Sequence, residues 1–458
     1  MKVMSGLDAR FLYSATPTVH MHTIKAIVVD ASANGTEFTE DEMAELIGER
    51  LHRMPALRRR VVPALYGLGN PVVIDDAEFD IRNHLVFRRL DPPGDQSQLD
   101  AVIAETTGRP LDTSRPLWEL TIVEGLEGDQ MAFVVKLHHA LADGIASVSM
   151  LENAFITELG DAVVEDYRPE APPSRRQMLG SSISGATQAV RAAPRVAKQT
   201  VTGTRRARAA RREETAEMAK PFGGPRTVFN VALTADRTYS TLSLPINEVV
   251  KAKNASKVSL NDIFLSLCGG AVRRYLSRFG DIPTRSLITS MPMATRTDRH
   301  RLGGNHVDNI FMPLHTDVVD PTERARAISA SSAAARRVRN SFGTDLFELR
   351  SGMIPASLHG VAPRLWGMTS LADHFRPPLN LVTSFVRGPR KPMEVSGAVV
   401  TRLFSVGPIL EGIGLNITAW SYVDSVYVSF LGCSASLPDP TLIAADMRAE
   451  LDHWLTTL

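Results

Sequence analysis

A paired histidine, placed directly after an apolar run and before a carboxylate and a glycine, constrains the fold of this chain most. Residues 131–137 have the composition of a buried strand, and His138-His139 follow it at once. Asp143 and Gly144 follow after three more residues and predict a turn. Histidine can take up and return a proton near neutral pH. A histidine at a strand end beside a cleft is therefore suited to general-base chemistry.

Only one histidine of the pair can enter a given cleft, because successive side chains on a strand face opposite sides. His139 and Asp143 stand four residues apart and could share a metal ion on a helix, but the nearby sequence offers no third ligand. A purely structural histidine pair is the other alternative. We favour a catalytic histidine with Asp143 as an orienting carboxylate, and we expect no metal.

Composition narrows the class of protein. The 458 residues are 44% hydrophobic and 22% charged with a net charge of +1, which is typical of a globular protein and does not indicate nucleic-acid binding. Two isolated cysteines form neither a disulfide framework nor a zinc site. No stretch has the apolar length of a signal peptide or a membrane span. We therefore expect a cytoplasmic location.

The order of predicted elements divides the chain into two α+β halves with the active site between them. We predict an N-terminal domain over residues 1–165 and a C-terminal domain over residues 227–458. Ser259 and Asp262 predict a capping box at a helix start. The clearest predicted elements are strands over 117–123, 131–137, 238–244, 286–291 and 380–386, a hairpin over 414–430, and helices over 41–57, 259–276 and 441–455, with a further helix from residue 145.

Residues 166–226 are predicted to be a basic linker rich in Pro, Ala and Arg. From Arg175 to Arg212 the chain carries ten Lys or Arg and no acid. One interpretation is a solvated, partly helical interdomain linker. The other is a segment that adsorbs to an anionic membrane surface, where each basic residue contributes about 1 kcal/mol. Nucleic-acid binding is the weaker interpretation, because no aromatic side chain lies among the charges.

The motif His-His-x3-Asp-Gly at residues 138–144 resembles the signature of the coenzyme A-dependent acyltransferases, which include chloramphenicol acetyltransferase and peptide-synthetase condensation domains. Further blocks narrow the resemblance to the bacterial wax ester synthase/acyl-CoA:diacylglycerol acyltransferase family, and they cover nearly the whole chain outside the linker. These blocks are Ser5, Asp8, Phe11 and Met21-His22, Pro110-Leu111-Asp112 with residues 115–119, residues 259–262, Gly304-Asn305, residues 412–416, Ser421-Tyr422 and Pro438-Asp439.

The resemblance implies a two-domain chloramphenicol-acetyltransferase-like fold, in which each half is a mixed sheet with flanking helices and the active site lies at the domain interface. It implies His139 as the general base, His138 as a supporting residue, and Asp143 and Gly144 as structural residues of the loop. The implied reaction moves an acyl group directly from acyl-CoA to diacylglycerol or a fatty alcohol. It needs no cofactor, and the chain has no Gly-x-Ser-x-Gly nucleophile elbow. The acceptors dissolve in lipid, which implies a peripheral membrane or lipid-droplet location.

Six further residues are predicted to bind substrate or to support the site: Asn261, Asp262, Thr295, Arg296, Asn305 and Asn416. Structural roles stay open for several of them. Asn261 and Asp262 could only cap a helix, Arg296 could anchor a carboxylate, and Asn416 could be a turn residue. Trp118 and Glu119 are interpreted as packing and strand-end residues.

Two blocks depart from the family pattern. Ala294 replaces the serine of Pro-x-Ser-x-Arg, and Phe385 replaces the asparagine of Ser-Asn-Val-Pro-Gly-Pro. If those polar groups help to hold a thioester oxyanion, the loss of one donor costs about 100- to 1000-fold in rate. The departures keep two alternatives open. One is an acyltransferase with a different acceptor, and the other is a weakly active or inactive paralogue that binds lipid or lipid droplets.

Overall fold

In the part of the chain that it describes, a computed structural model shows an α+β architecture with two six-stranded mixed sheets and a smaller sheet of three strands. The structure describes residues 1–32, 38–67, 69–142, 146–147, 150, 167–220, 222–280, 282–294, 304–342, 360–395 and 397–458.

The described strands and helices are numbered in chain order. The strands are β1 (Lys2–Val3), β2 (His22–Asp30), β3 (Arg59–Val62), β4 (Val72–Asp75), β5 (Leu85–Arg89), β6 (Trp118–Leu126), β7 (Gln130–His138), β8 (Arg237–Pro245), β9 (Ile288–Ala294), β10 (Val307–Pro313), β11 (Leu381–Arg387), β12 (Glu394–Val395), β13 (Ala398–Val406), β14 (Asn416–Tyr422) and β15 (Ser425–Cys433). The helices are α1 (Gly6–Tyr13), α2 (Glu40–Gly48), α3 (Gln96–Gly108), α4 (Arg175–Glu213), α5 (Ile246–Ser256), α6 (Leu260–Ser277), α7 (Pro321–Phe342), α8 (Val361–Met368) and α9 (Pro440–Thr456).

The first large sheet has the strand order β12-β13-β2-β7-β6-β5. The strands predicted over 117–123 and 131–137 are confirmed as β6 and β7, which pair in an antiparallel hairpin, and β5 joins the edge of that hairpin in parallel. Two strands of this sheet, β12 and β13, come from the C-terminal half of the chain, and β13 pairs with β2. Strand β7 is buried from Met131 to His138, which explains its nearly continuous apolar sequence.

The second large sheet has the order β10-β9-β11-β14-β15-β8. Strand β11 pairs in parallel with both β9 and β14, and the other pairs are antiparallel. The hairpin predicted over 414–430 is confirmed as β14 and β15, in which Tyr422 pairs with Ser425 across a two-residue turn. The predicted strand over 238–244 and the last helix are confirmed as β8 and α9.

Local packing explains two further features of the first half. The indole of Trp118 stacks on His84 with ring centroids 4.4 Å apart and donates a hydrogen bond of 2.8 Å to the carbonyl of Leu57, so its predicted packing role is confirmed. The helix predicted over 41–57 is wrong beyond Gly48, where α2 ends. Residues 51–58 form short 3-10 turns instead, because Met54 precedes a proline, and that position disfavours α-helical backbone.

The predicted linker contains one long helix. Helix α4 has 39 residues, and a capping box of Ser174 and Gln177 starts it. It packs against α7 of the second half and against the turn at residues 65–67 of the first half. The partly helical linker expected from the sequence is thus largely one helix that contacts both halves. Among the described helices, none is both long enough and apolar enough to cross a membrane.

Asp100 joins the two large sheets through helix α3. Its carboxylate is buried and accepts hydrogen bonds from the backbone N–H of Thr241 on β8 at 3.0 Å and from the Thr241 hydroxyl at 3.1 Å. The side-chain amide of Gln96 donates a third hydrogen bond at 2.8 Å. Burial raises the pKa of Asp100 to about 6, and these hydrogen bonds only partly oppose that rise.

We expect Asp100 to make the stability of the fold depend on pH. Because its folded pKa lies above the ordinary value of 3.8, protonation favours the folded state, and this contribution is present below pH 3.8 and lost as pH rises through about 6. The shift corresponds to about 3 kcal/mol. Wild type should therefore lose free energy of unfolding between pH 4 and pH 7, whereas Asp100→Asn has no such contribution to lose. The free energy of unfolding of the variant minus that of wild type, measured with urea, should rise by up to this amount over that range. A difference that does not change with pH would contradict the assignment.

Candidate active site

His139 lies directly after β7, and its backbone and ring are both held by the N-terminal segment. Its N–H donates a hydrogen bond of 2.8 Å to the carbonyl of Met21. The half-buried imidazole stacks on the ring of Phe11, with centroids 4.2 Å apart and an angle of 14° between the planes. The stacking fixes the plane of the imidazole, so its two nitrogens point in defined directions.

A hydrogen-bond network assigns the proton on this imidazole. The Nδ1 atom of His139 lies 3.0 Å from Oδ1 of Asn305. The Asn305 Nδ2 atom donates to a carboxylate oxygen of Asp8 and to the carbonyl of His139, both at 2.7 Å. Since both of those partners can only accept, the amide must turn its oxygen toward Nδ1. The neutral ring therefore carries its proton on Nδ1 and a basic lone pair on Nε2.

Asp8 fixes Asn305 from the other side. Its carboxylate accepts hydrogen bonds from the backbone N–H of Asn305 at 2.9 Å and from the hydroxyl of Ser5 at 2.7 Å. Burial raises the pKa of Asp8, while the hydrogen bonds from Ser5 and Asn305 act in the opposite direction. The result is a chain of three side chains, Asp8, Asn305 and His139, which we call the Asp–Asn–His network.

The network joins the two large sheets. His139 follows β7 of the first sheet, whereas Asn305 lies just before β10 of the second. Next to them, the N–H of Gly304 donates to the carbonyl of Leu141 at 2.9 Å, and Gly304 forms a parallel bridge with Ala142. The histidine motif and the Gly-Asn block, predicted as separate features, meet at the junction of the sheets.

His138 occupies a different environment from His139. It is buried in the first sheet, and its Nδ1 atom accepts a hydrogen bond of 3.1 Å from the N–H of Ala140. Burial lowers the pKa of His138 to about 3, and neighbouring His139 adds to this effect. The ring is therefore neutral at physiological pH, and its hydrogen bond is to the backbone of the motif itself, at Ala140.

Three other predicted site residues have bonding partners away from His139. Ser259 and Asp262 form the predicted capping box of α6, with the Ser259 hydroxyl 2.7 Å from the carboxylate. The amide of Asn261 lies 3.4 Å from the sulfur of Met291. Asn416 is buried at the start of β14, where it donates to the carbonyl of Pro408 and accepts from Thr418. The capping role considered for this helix start is seen for Asp262, whereas Asn261 contacts a methionine sulfur and Asn416 lies in a strand and not in a turn. Any role of the three in substrate binding stays a prediction.

The remaining predicted positions are only partly described. Asp143, Gly144, Thr295 and Arg296 lie outside the residues that the structure describes. Of the two departures from the family pattern, Ala294 ends β9. Phe385 packs its ring 5.5 Å from that of Phe264 in the core of the second half.

In the sequence, Ser5, Asp8 and Phe11 belong only to a block that resembles the family, and no role in the site is predicted for them. Ser5 and Asp8 have the spacing of a helix cap, and the Ser5 hydroxyl does accept a hydrogen bond from the N–H of Asp8. Nothing in that spacing indicates a partner 297 positions away, which is where Asn305 lies.

A cavity of about 850 Å³ lies between α3, β8 and α9. Its volume is within the range of small-molecule sites. One wall includes Gly108, whose carbonyl is hydrogen-bonded to the ring of His20 at 3.0 Å. His20 immediately precedes Met21, which holds the backbone of His139. Residues lining the cavity include Asp100, Gly108, Arg109, Arg237, Thr241 and Thr441.

Two sheets that meet beside His139 are the arrangement expected of a protein with a two-domain, chloramphenicol-acetyltransferase-like fold. The family model of the wax ester synthase/diacylglycerol acyltransferase catalytic domain matches residues 4–264, and the model of the corresponding C-terminal domain matches residues 303–454. The chain belongs to this family and is an acyltransferase.

Curated relatives agree over almost the full length. A protein of Mycobacterium tuberculosis H37Rv, named as a candidate diacylglycerol O-acyltransferase, is 33% identical over 98% of this chain and 95% of its own length. A second protein of that organism with the same name is 30% identical over 99% of this chain and 97% of its own length.

Solved structures confirm the predicted fold. The wax ester synthase/diacylglycerol acyltransferase of Marinobacter aquaeolei VT8 superposes with a TM-score of 0.69 at 20% identity, covering 100% of this chain and 99% of that one. The first condensation domain of the calcium-dependent antibiotic synthetase superposes with a TM-score of 0.58 at 14% identity, covering 99% and 94%. At these identities the likeness concerns the fold alone.

Proposed function

We propose that the protein transfers a long-chain acyl group from acyl-CoA to diacylglycerol and so makes triacylglycerol, with a fatty alcohol as a second acceptor that gives a wax ester. The Asp–Asn–His network is the observation that carries the proposal, because it gives Nε2 of His139 the lone pair that a general base needs. The names of the Mycobacterium relatives support diacylglycerol as the acceptor.

In the proposed reaction, Nε2 of His139 accepts the proton of the acceptor hydroxyl while that oxygen attacks the thioester carbonyl. The imidazolium that forms has a proton on each nitrogen, and Asn305 accepts a hydrogen bond from the one on Nδ1. The tetrahedral intermediate then breaks its carbon–sulfur bond, and the CoA thiolate leaves with the proton from Nε2. A positioned base of this kind typically contributes about 100- to 10,000-fold to the rate.

Direct transfer also agrees with the placement of the thiols. The only cysteines of the chain, Cys268 and Cys433, are both buried in the cores. Burial raises the pKa of the Cys268 thiol well above its ordinary value, which disfavours the nucleophilic thiolate. An acyl-cysteine intermediate is therefore not part of the proposed mechanism.

We expect purified protein to release CoA from a long-chain acyl-CoA when diacylglycerol in mixed micelles is added, and to form triacylglycerol in equal amount. Hexadecanol run in parallel measures the second acceptor, and lipid products are resolved by chromatography. CoA release with other alcohols only would favour an acyltransferase with a different acceptor. No turnover, combined with retained lipid binding, would favour the weakly active paralogue and overturn the proposal.

Diacylglycerol and long-chain alcohols dissolve in lipid, so we further propose that the protein works at the surface of a membrane or a lipid droplet. The basic composition of residues 175–212 supports this location.

A further inference from the structure

We infer that the outward face of helix α4 is the surface by which this protein adsorbs to lipid that contains anionic headgroups. The inference rests on the proposed function in one respect: adsorption would give the enzyme access to an acceptor that is dissolved in lipid. The binding itself can be measured without catalysis.

The helix exposes a continuous apolar stripe. Four large apolar side chains of α4 are at least half exposed: Leu179 at 50%, Ile183 at 56%, Val190 at 72% and Val201 at 52%. They follow one another at intervals of four, seven and eleven residues, so at about 100° per residue they lie within about 40° of one another around the helix. A water-soluble helix rarely exposes such an alignment unless the stripe meets a partner.

The opposite side of α4 is the one that packs on the protein. Met178, Val196 and Gly203 are buried. They fall within about 20° of one another and more than about 100° from the exposed stripe. The stripe therefore does not belong to the side of α4 that packs on the protein. It runs along the outer side of the helix.

Arginines extend the apolar stripe toward the C-terminus of the helix. The exposed side chains of Arg205, Arg208 and Arg212 fall within about 60° of Val201 around the helix axis. From Arg175 to Arg212 the helix carries ten basic residues and no acid. Apolar side chains beside cations match the chemistry of an anionic lipid surface, where the apolar groups enter the acyl region and the cations pair with headgroups.

An exposed aromatic side chain lies near the N-terminal part of the helix. Tyr66 is 85% exposed, in the turn at residues 65–67 that packs against α4. Its backbone takes the left-handed conformation with φ of 51°, which is costly for a residue other than glycine. Tyrosine is enriched at the boundary between lipid and water, so an exposed tyrosine in a turn that contacts α4 agrees with adsorption.

The electrostatic part of the inference is tested with Arg205→Gln/Arg208→Gln and a control of equal charge change, Lys251→Gln/Arg285→Gln, at exposed positions of the second half. Sedimentation with vesicles of phosphatidylcholine and phosphatidylglycerol gives the partition coefficient, without acyl-CoA. At about 1 kcal/mol for each charge near the surface, the α4 pair should lower the partition coefficient by about 30-fold and the control by much less. Pure phosphatidylcholine vesicles and added salt should weaken wild-type binding.

The apolar part is tested with Val190→Ser/Val201→Ser against Val319→Ser/Val399→Ser, whose valines are 66% and 41% exposed elsewhere. Serine and valine have similar helix propensity, so the α4 variant should keep its fold, which circular dichroism checks. Its partition coefficient should fall at least tenfold, while the control stays near wild type. Unchanged vesicle binding in both α4 variants, or wild-type protein that does not bind anionic vesicles, would overturn the inference. The inference would also be overturned if the α4 variants changed the oligomeric state of the protein without changing its vesicle binding. In that case the stripe would bind a second copy of the chain.

Turnover with an acceptor in detergent micelles separates this inference from the proposed function. The α4 variants should keep micellar turnover and lose turnover with diacylglycerol in vesicles. If wild type binds vesicles through α4 but transfers no acyl group in any assay, the inference that α4 binds lipid is supported and the proposed function is contradicted.

Discussion

Replacing His139 with alanine is expected to lower kcat/KM for acyl transfer by about 100- to 10,000-fold. The substitution removes the imidazole whose Nε2 atom is proposed to accept the proton of the acceptor hydroxyl. CoA release from a long-chain acyl-CoA, followed continuously with a thiol reagent, measures the effect. His374→Ala, which removes an exposed histidine outside the site, is the control and should behave like wild type.

The fold of the His139→Ala protein must be verified independently, because the ring also stacks on Phe11. Thermal unfolding close to that of wild type, together with an unchanged Kd for acyl-CoA, would show that only the chemical step is affected. A folded protein with full turnover would rule out His139 as the base.

Replacing Asn305 with alanine is expected to lower kcat by about 100-fold while KM for acyl-CoA changes little. The amide accepts a hydrogen bond from Nδ1 of His139, and a hydrogen bond to a charged ring is worth up to about 3 kcal/mol. Without it, the ring can take the tautomer with the proton on Nε2, which cannot act as the base. Steady-state kinetics with acyl-CoA varied separate kcat from KM.

Asp8→Asn is the matched control for this second prediction. It keeps an oxygen that can accept from Asn305 and removes only the charge, so we expect a loss of less than about tenfold if orientation of the amide is what matters. Equal losses in Asn305→Ala and Asp8→Asn would instead assign the effect to the buried charge.

Features encoded by neighbouring residues could be predicted from the sequence. The strand before His138 and the hairpin at 414–430 follow from local hydrophobic patterns and turn positions, and both are confirmed. The capping box of Ser259 and Asp262 is equally local, since its two residues stand three apart. The two-domain fold followed from the resemblance, because the order of the blocks extends over the whole chain.

Features that depend on distant contacts could not be predicted in this way. The Asp–Asn–His network joins residues 166 and 297 positions apart. The pairing of β13 with β2 brings a strand of the second half into the first sheet, and no local pattern specifies such a partner. Helix α4 was underestimated because Pro194 and the arginines are typical of a linker, whereas its contacts with α7 and the first half help to stabilise a continuous helix.

The central claim is that Asn305 acts on the reaction through His139, and a double-mutant cycle on kcat tests it most directly. Four proteins are compared: wild type, His139→Ala, Asn305→Ala and the double variant. If Asn305 serves only to orient the base, the double variant should be as slow as His139→Ala within about threefold, because the second substitution has nothing left to orient. A double variant slower by the full 100-fold attributed to Asn305 would contradict the account and give the amide an independent role.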